Sequence, residues 1–443
     1  MSVDMGLAAG QVAVPGEQGY ELDRFNTTVD ERPALVVTVR SAADVQAAVR
    51  YAAAQGLPVA VQATGHGVTV PADGAVLINT RELTGIEIDE ANRTARVEAG
   101  VRSGALVAAA AEFGLAPLNG ASAGVGTVGY TLGGGLGPLG RQYGFAVDLV
   151  RSMDIVTADG ALVTASPESH PDLFWAARGG RGNFGVVTAL VIDLVPVARL
   201  YGGGLFFPGE VAAEVLDAYR TWVTTVPDEM SSSVALLRLP PVEALPAALR
   251  GQFVVHVRIA YTGSASDGEV LVAPLRAVAS PVIDAVREMP YSEVASIHDD
   301  PTEPGAYADR TALLRSLEPE TVAALLAHAQ PPVVVVELRH LGGALGRVPE
   351  RSSAVGHRDA AFTVFVGGAA TQESLSAFDA LVGALSPWAA SGPFVGFLSG
   401  ADVGPEVVAS AYEPGSYQRL REIKKVYDPR NLFRVNHNIP PAD

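Results

Sequence analysis

One histidine of this sequence lies in a short turn flanked by glycines, where it could contact a bound molecule. Residues 61–67 read VQATGHG and place His66 between Gly65 and Gly67, directly after an apolar stretch typical of a strand. A backbone with so little side-chain bulk can approach a phosphate closely and direct several N–H groups toward it. The glycines leave little for the imidazole to pack against, so we expect His66 to touch whatever the turn holds. The alternative is a loop histidine that only makes hydrogen bonds.

Metal and thiol chemistry find no support in the sequence. The 8 histidines are scattered, without an H-E-x-x-H pair or a comparable ligand spacing. Cysteine is absent, which excludes disulfides, a thiolate nucleophile and cysteine-ligated metals. The sequence therefore predicts no metal site.

A glycine-rich block over residues 120–144 contains a pattern associated with dinucleotide binding. Residues 124–129, GVGTVG, satisfy G-x-G-x-x-G. The context differs from a nicotinamide site, because residues 116–120 do not predict a strand and the following residues are a poor helix start. We expect loop and close backbone approach over 120–137, and a nicotinamide dehydrogenase remains a distant alternative.

An acidic residue interrupts a later apolar strand, predicted over residues 333–338. Glu337 lies in it and is followed by Arg339 and His340. Alternation along a strand would place Glu337 and Arg339 on one face, opposite Leu338. A buried glutamate beside an arginine could be a base, a substrate anchor or a satisfied ion pair, and all three readings stay open.

Four segments together make the chain resemble the FAD-linked oxidases that include vanillyl-alcohol oxidase and berberine bridge enzyme. They are the histidine turn, the glycine block with LGGGLG at 132–137, DLFWAARGGRGNFGVVT at 172–188, and YDPRNLFRVNHNIP at 427–440. The resemblance covers the first 195 residues and about the last 45 well, and it is loose between them.

The resemblance implies one FAD, attached covalently through His66. A neutral imidazole nitrogen can attack the 8α-methyl position of oxidised flavin, and the adduct is a stronger oxidant. Many relatives form a second bond through a cysteine, and Ser122 stands in that position here, so the link would be single. The positions that the resemblance places against the cofactor are Thr64, Gly65, His66, Gly67, Val68, Ser122, Gly124, Gly126, Thr127, Gly129, Tyr130, Gly133, Gly134, Gly137, Gly182, Gly185, Val187, Asn436 and Asn438.

The resemblance also places the substrate against the strand that carries Glu337. It is similar to the family's strand that ends in paired glycines over the catalytic face of the flavin. Glu337, Arg339 and His340 would then face the substrate, with Tyr130 as a further catalytic candidate. Several relatives use a tyrosine just before the closing motif, whereas residues 394–398 carry no ionisable group here. Tyr130, Tyr143 and Tyr412 are candidates to replace that tyrosine, each equally suited to a packing role, so the base stays open.

The elements that must position these residues alternate between strands and helices. Residues 34–39, 42–55 and 57–62 predict a strand, a helix and a strand that leads into the histidine turn, with Ser41 as N-cap. Residues 152–157 and 161–164 predict a hairpin. Together with these elements, the resemblance implies an α+β, two-domain PCMH-type FAD-binding fold. Residues 1–197 and 401–443 would form a discontinuous FAD-binding domain, and 198–400 an inserted substrate-binding domain with an antiparallel sheet and helices.

Composition limits the partners. Of the 443 residues, 48% are apolar and 18% charged, and the net charge is −17, which allows a large core and argues against nucleic acid binding. No stretch has the length of apolar sequence that spans a bilayer, and the N-terminus lacks the pattern of a secretory signal. We expect a soluble, cytoplasmic protein, a monomer or homodimer, without membrane partners.

The resemblance implies the activity of an oxidase. Hydride would leave a C–H bond of a small organic substrate (an alcohol, sugar, amine, or polyketide- or alkaloid-like metabolite) for flavin N5, and dioxygen would reoxidise the flavin to give hydrogen peroxide. The alternatives are a flavin dehydrogenase, an oxidative cyclase or rearrangement enzyme of specialised metabolism, and a non-catalytic FAD-binding module.

Overall fold

The computed structural model describes residues 5–8, 10–67 and 70–443. Its helices and mainly antiparallel sheets confirm the predicted α+β class. In this described part of the chain, no helix is long and apolar enough to cross a membrane.

The strands, in chain order, are β1 (Val12–Ala13), β2 (Leu35–Thr38), β3 (Val59–Gln62), β4 (Val76–Asn79), β5 (Ile86–Asp89), β6 (Thr94–Glu98), β7 (Val150–Val156), β8 (Leu162–Ala165), β9 (Val186–Asp193), β10 (Arg199–Pro208), β11 (Met230–Arg238), β12 (Phe253–Tyr261), β13 (Ile283–Asp284), β14 (Arg287–Pro290), β15 (Tyr307–Leu314), β16 (Val335–His340) and β17 (Phe362–Ala369). The α-helices are α1 (Ala42–Gln55), α2 (Ser103–Ala111), α3 (Thr127–Leu132), α4 (Gly140–Tyr143), α5 (Pro171–Ala177), α6 (Ala212–Trp222), α7 (Ala265–Arg276), α8 (Pro319–His328), α9 (Gln372–Ala384), α10 (Pro405–Ser410) and α11 (Pro414–Tyr427).

The first small sheet positions the histidine turn. Its strand order is β1-β2-β4-β3, in which β2, β4 and β3 run parallel. Helix α1 connects β2 to β3: the Ser41 side chain accepts a hydrogen bond from the backbone of Asp44, and Gly56 ends the helix in the left-handed conformation. The predicted strand, helix and strand are therefore confirmed, and β3 ends directly before the turn.

The second small sheet has the antiparallel order β5-β6-β9-β7-β8. It contains the predicted hairpin as β7 and β8. Its central strand β9 carries Val187 and follows the glycine-rich segment that ends at Gly185. That segment therefore enters the core of this sheet directly.

The large sheet is antiparallel, with the order β13-β10-β12-β11-β16-β17-β15 and with β14 also paired to β10. Apolar side chains of alternate positions, such as Val257 and Leu338, join helices α6 to α9 in one core. The opposite face carries polar side chains, among them Arg258 and Glu337, which are buried as well. The division of the chain at residues 197/198 and 400/401 stays a prediction.

The glycine block contains more regular structure than we expected. Residues 127–132 form helix α3, with Gly126 at its N-cap, so the expectation of loop throughout 120–137 is wrong there. The helix forms because Val128 and Leu132 pack into the core of the second small sheet, and this burial overrides the poor helix propensity of the glycines nearby.

Candidate active site

The histidine turn is held by contacts that require glycine. Gly65 has φ +69°, and a Cβ there would lie 2.5 Å from the Asp23 carbonyl oxygen. The Phe25 amide donates to the Gly65 carbonyl at 3.0 Å. The half-buried His66 ring stacks on Phe25 with 4.6 Å between ring centroids. Burial and, to a lesser extent, Arg102 lower the pKa of His66 against the opposing effect of Asp300, so its imidazole is neutral at neutral pH.

The glycine block lies against this turn. A Cβ on Gly126 would lie 3.3 Å from Thr64 Cγ2, which brings these two predicted positions together. Ser122 and Gly124 precede them in the loop that leads to α3, and the Ser103 amide donates to the Val125 carbonyl at 2.8 Å. Val68 lies outside the described residues.

Tyr130 is enclosed by glycines of the same block. Cβ atoms on Gly120, Gly135 and Gly137 would lie 3.0, 2.7 and 2.9 Å from its ring or hydroxyl. Its hydroxyl is buried and has no hydrogen-bond partner among the described residues. Burial raises the pKa of Tyr130, opposed by the charge of Arg339, so this hydroxyl keeps its proton.

Asn183 joins the 172–188 segment to the closing motif. Its Nδ2 donates to the His437 carbonyl at 3.1 Å, and its Oδ1 accepts from the Ile439 amide at 2.9 Å. Lys424 Nζ also donates to the Asn183 carbonyl, while it pairs with Asp428 in a fully buried ion pair. These bonds place Gly182 beside Asn436, whose Nδ2 would be 3.8 Å from a Cβ on Gly182.

Several predicted site residues carry buried polar atoms without a partner among the described residues. Natural proteins rarely leave such atoms unsatisfied, because the desolvation cost is about 1–3 kcal/mol each. The atoms in question are Thr127 Oγ1, Tyr130 Oη, His340 Nδ1, Asn436 Oδ1 and Asn438 Oδ1. These five atoms belong to predicted cofactor or substrate residues, and a bound polar group such as FAD would give them hydrogen-bond partners.

Five glycines of the site differ in what surrounds them. Gly133, Gly134 and Gly185 touch protein, since a Cβ on each would lie 3.3 Å or less from neighbouring atoms. Gly67 and Gly129 have no described protein atom within 4 Å of the Cβ position. Where a glycine has neither a side chain nor a neighbouring protein atom, a ligand can approach the backbone closely, as the cofactor prediction requires.

Glu337 and Arg339 share one face of β16, as alternation predicted. Glu337 is buried; its Oε1 accepts from Ser233 at 2.8 Å and Arg258 at 2.6 Å, and its Oε2 accepts from Arg339 at 2.9 Å. Burial would raise the pKa of Glu337, but the charges of Arg339 and Arg258 hold it well below its ordinary value. A carboxylate with both oxygens so occupied is well suited to hold guanidinium groups and poorly suited to take a proton.

His340 belongs to a different set of contacts. Arg141 Nη1 lies 3.1 Å from its Nε2 and also donates to the Leu341 carbonyl, and the ring stacks on Phe362 at 5.5 Å. Burial, aided by Arg141, lowers the pKa of His340 to about 3, so the ring is neutral. Arg141 thereby links helix α4 of the glycine block to the end of β16.

A cavity of about 40 Å³ lies between the glycine block and the large sheet. The glycine block contributes Gly137 and Arg141 to its wall, and the sheet contributes Arg258, Arg339 and His340. Of the four predicted substrate-side residues, Arg339 and His340 thus line this cavity beside the glycine block, whereas Glu337 and Tyr130 are not part of its wall.

Sequence reasoning missed several residues of this site. His256 and Arg258 are two polar residues at i and i+2 in an otherwise apolar strand, and that pattern could have revealed the polar face of the sheet. His298, 3.5 Å from Glu337, and Phe25, beneath His66, have no sequence signal. Tyr307 stacks on Phe25 at 5.3 Å and connects the edge strand β15 to the histidine turn.

Comparison with family models gives two matches at the two ends of the chain. Residues 33–166 match a model described as FAD binding domain, and residues 397–440 match one described as berberine and berberine like. These ranges contain the histidine turn, the glycine block and the closing motif.

Relatives match over nearly the whole chain. (R)-6-hydroxynicotine oxidase of Paenarthrobacter nicotinovorans is 31% identical, covering 98% of this chain and 97% of its own length. Xylooligosaccharide oxidase of Thermothelomyces thermophilus is 26% identical, covering 95% and 89%. The crystal structure of 6-hydroxy-D-nicotine oxidase from Arthrobacter nicotinovorans superposes with a TM-score of 0.86 at 28% identity, covering 100% of both chains. The predicted fold and resemblance are confirmed.

Proposed function

We propose a flavin linkage and a reaction for this protein. The premise is that the chain belongs to the FAD-linked oxidases of the berberine bridge enzyme-like family. The protein is an FAD-dependent oxidase that acts on a small organic molecule, with dioxygen as the second substrate. The linkage, the roles of individual residues and the kind of substrate are the subject of the proposal.

The flavin is attached once, through His66. The observation that carries this proposal is the environment of the ring, which is neutral, stacked on Phe25 and adjacent to the glycine block. A neutral imidazole has a nitrogen lone pair available for attack on the 8α carbon. Ser122 in place of a cysteine leaves no second point of attachment.

The remaining predicted site residues serve the cofactor or the substrate. Bound FAD supplies the hydride acceptor at N5 and the centre that dioxygen reoxidises with release of hydrogen peroxide. Thr127, Asn436 and Asn438 offer polar atoms to the cofactor, since each has one buried atom without a hydrogen-bond partner in the described parts of the chain. Glu337 holds Arg339 at the substrate side, and Tyr130, whose pKa the charge of Arg339 lowers against the larger effect of burial, offers a protonated hydroxyl.

Asp309 is the proposed base. It lies on β15 between Tyr307, which stacks on Phe25, and Thr311, which donates to the Phe397 carbonyl at 3.4 Å, so alternation places all three side chains on one face. Burial, together with Asp402 and against Arg310, raises the pKa of Asp309 to about 6. A base with a pKa near neutrality is well matched to proton transfer.

Replacing Asp309 with asparagine should have opposite effects on the rate of flavin reduction and on the stability of the fold. If Asp309 is the base, anaerobic flavin reduction at pH 8 slows about a hundredfold, and the rise in rate through about pH 6 disappears. The folded pKa lies above the unfolded value of about 3.9, so the ionised carboxylate destabilises the folded protein increasingly as pH rises from about 4 to 6. The variant should therefore be more stable than wild type at pH 8, by roughly 1–3 kcal/mol, and not at pH 4.

Rapid kinetics and thermal unfolding across pH measure these two effects. Asp217→Asn is the control, because Asp217 is an exposed partner of Arg220. An unchanged reduction rate in the Asp309→Asn variant, with stability increased, would limit Asp309 to an electrostatic role.

Peroxide release tests the proposed reaction. The holoenzyme, screened with alcohols, sugars, amines and organic acids, should bleach its flavin anaerobically with one class and release hydrogen peroxide on admission of air. Reoxidation by a quinone but not by air would instead identify a dehydrogenase. Bound flavin that no donor reduces would identify a binding module.

A further inference from the structure

Two guanidinium groups share one carboxylate on the polar face of the large sheet. Arg258 Nη1 lies 2.6 Å from Glu337 Oε1, and Arg339 Nε and Nη2 both lie 2.9 Å from Oε2. The side chains of Arg258, Arg339 and Glu337 are 6%, 22% and 4% exposed. This cluster therefore has a net charge of +1 and is largely buried.

Neighbouring groups do not pair with that charge. His298 and His256 are neutral, because burial and the charge of Arg258 lower the pKa of both. Asp300 helps to raise the pKa of Arg339, yet no ion pair within 4.0 Å joins them among the described residues. Asp228 pairs instead with Arg347 at 2.8 Å and Arg141 at 3.5 Å. Since an unpaired buried charge is costly, a bound anion would be stabilised here.

Arg339 has an edge available for such an anion. Its Nε and Nη2 bind Glu337, and its Nη1 makes no hydrogen bond among the described residues. The side chain lines the cavity beside the glycine block, and no aspartate or glutamate of the described part of the chain lines that cavity. The planar fork of a guanidinium binds two carboxylates, one along its Nε–Nη2 edge and one along its Nη1–Nη2 edge.

We propose that the substrate is an organic acid whose carboxylate binds the Nη1–Nη2 edge of Arg339. The proposal rests on the oxidase function proposed above and specifies its substrate class. The net charge of the chain is −17, so the positive cluster is a local property of this site and not a general feature of the protein. Glu337 then acts as a positioning residue, because it fixes the orientation of the guanidinium.

Benzoate and its neutral counterpart benzamide test this inference. Added to the holoenzyme, benzoate should perturb the flavin absorption spectrum saturably, with benzamide binding at least tenfold more weakly. Arg339→Gln should weaken benzoate binding at least tenfold. Arg199→Gln should bind as wild type does, because Arg199 is an exposed partner of Glu288. If Arg339→Gln fails to fold, Arg339→Lys retains the charge without the fork and should weaken benzoate binding about fivefold.

Other outcomes would overturn the inference. Equal binding of benzoate and benzamide, or unchanged benzoate binding in both Arg339 variants, would remove the carboxylate anchor. If Arg339→Gln leaves benzoate binding intact and weakens the adduct of sulfite with flavin N5, the charge serves the flavin and not the substrate. Failure of the proposed function is distinguishable, since the purified protein would then contain no FAD or would release no peroxide with any donor.

Discussion

The His66→Ala variant is expected to fold and to bind FAD reversibly, with no flavin attached to the chain. The imidazole makes no hydrogen bond among the described residues, and its main contact is the stack on Phe25 at 4.6 Å. Losing such a stack costs about 1 kcal/mol, which a chain of this size tolerates. Acid precipitation should leave wild-type flavin in the pellet and the variant's flavin in the supernatant. The loss of covalent flavin should be complete, because Ser122 cannot replace a cysteine as a second attachment point.

His170→Ala is the matched control. His170 is exposed and packs edge-on against Tyr427, with 6.3 Å between ring centroids, far along the chain from the turn. The flavin of the His170→Ala variant should stay in the pellet and fluoresce on a denaturing gel. Flavin that stays with the His66→Ala chain through denaturation would show that another residue forms the link.

The reduction potential provides a second measurement on the same pair of variants. Since the histidyl adduct makes the flavin a stronger oxidant, the dissociable flavin of His66→Ala should have the lower potential and should be reduced more slowly by substrate. Added FAD should restore binding without restoring that rate.

Local patterns in the sequence predicted the elements that position the cofactor. Ser41 and Gly56 delimit α1 because a side-chain oxygen caps one end and a left-handed glycine ends the other, and both signals are local. The histidine turn follows because β3 is short and apolar. Helix α3 was missed, since its stability comes from the burial of Val128 and Leu132 against strands that are distant in sequence.

The substrate side depended on long-range pairing that one sequence does not reveal. Alternation placed Glu337 and Arg339 together, but Arg258 reaches Glu337 across 79 residues and Ser233 across 104. Their meeting depends on the register of β11 with β12 and β16, in which Ser233 lies opposite both Arg258 and Arg339. A register shift by one residue would move these side chains to the opposite face. The sequence therefore left the role of Glu337 open, and the contacts now favour an ion-pair role.

Replacing Glu337 with glutamine should destabilise the protein by about 3–5 kcal/mol, because it leaves two buried guanidinium groups without a counter-charge. The amide of glutamine can accept only part of the hydrogen bonds that the carboxylate accepts from Ser233, Arg258 and Arg339. Thermal unfolding, monitored through flavin fluorescence, measures this loss of stability. Glu288→Gln, which removes an exposed ion pair with Arg199, should change stability by less than about 1 kcal/mol.

A double-mutant cycle separates the ion-pair role of Glu337 from the role of a base. If Glu337 serves to neutralise and orient Arg339, Glu337→Gln should lower the free energy of unfolding less in the Arg339→Gln background than in wild type. One of the two guanidinium groups left without a counter-charge is then absent. The coupling energy should be 1 kcal/mol or more, as is usual for residues in direct contact within a buried network. A base would behave differently: Glu337→Gln would slow anaerobic flavin reduction about a hundredfold with little change in stability and no coupling to Arg339. Because both oxygens of Glu337 are already occupied by guanidinium groups, we expect the first result.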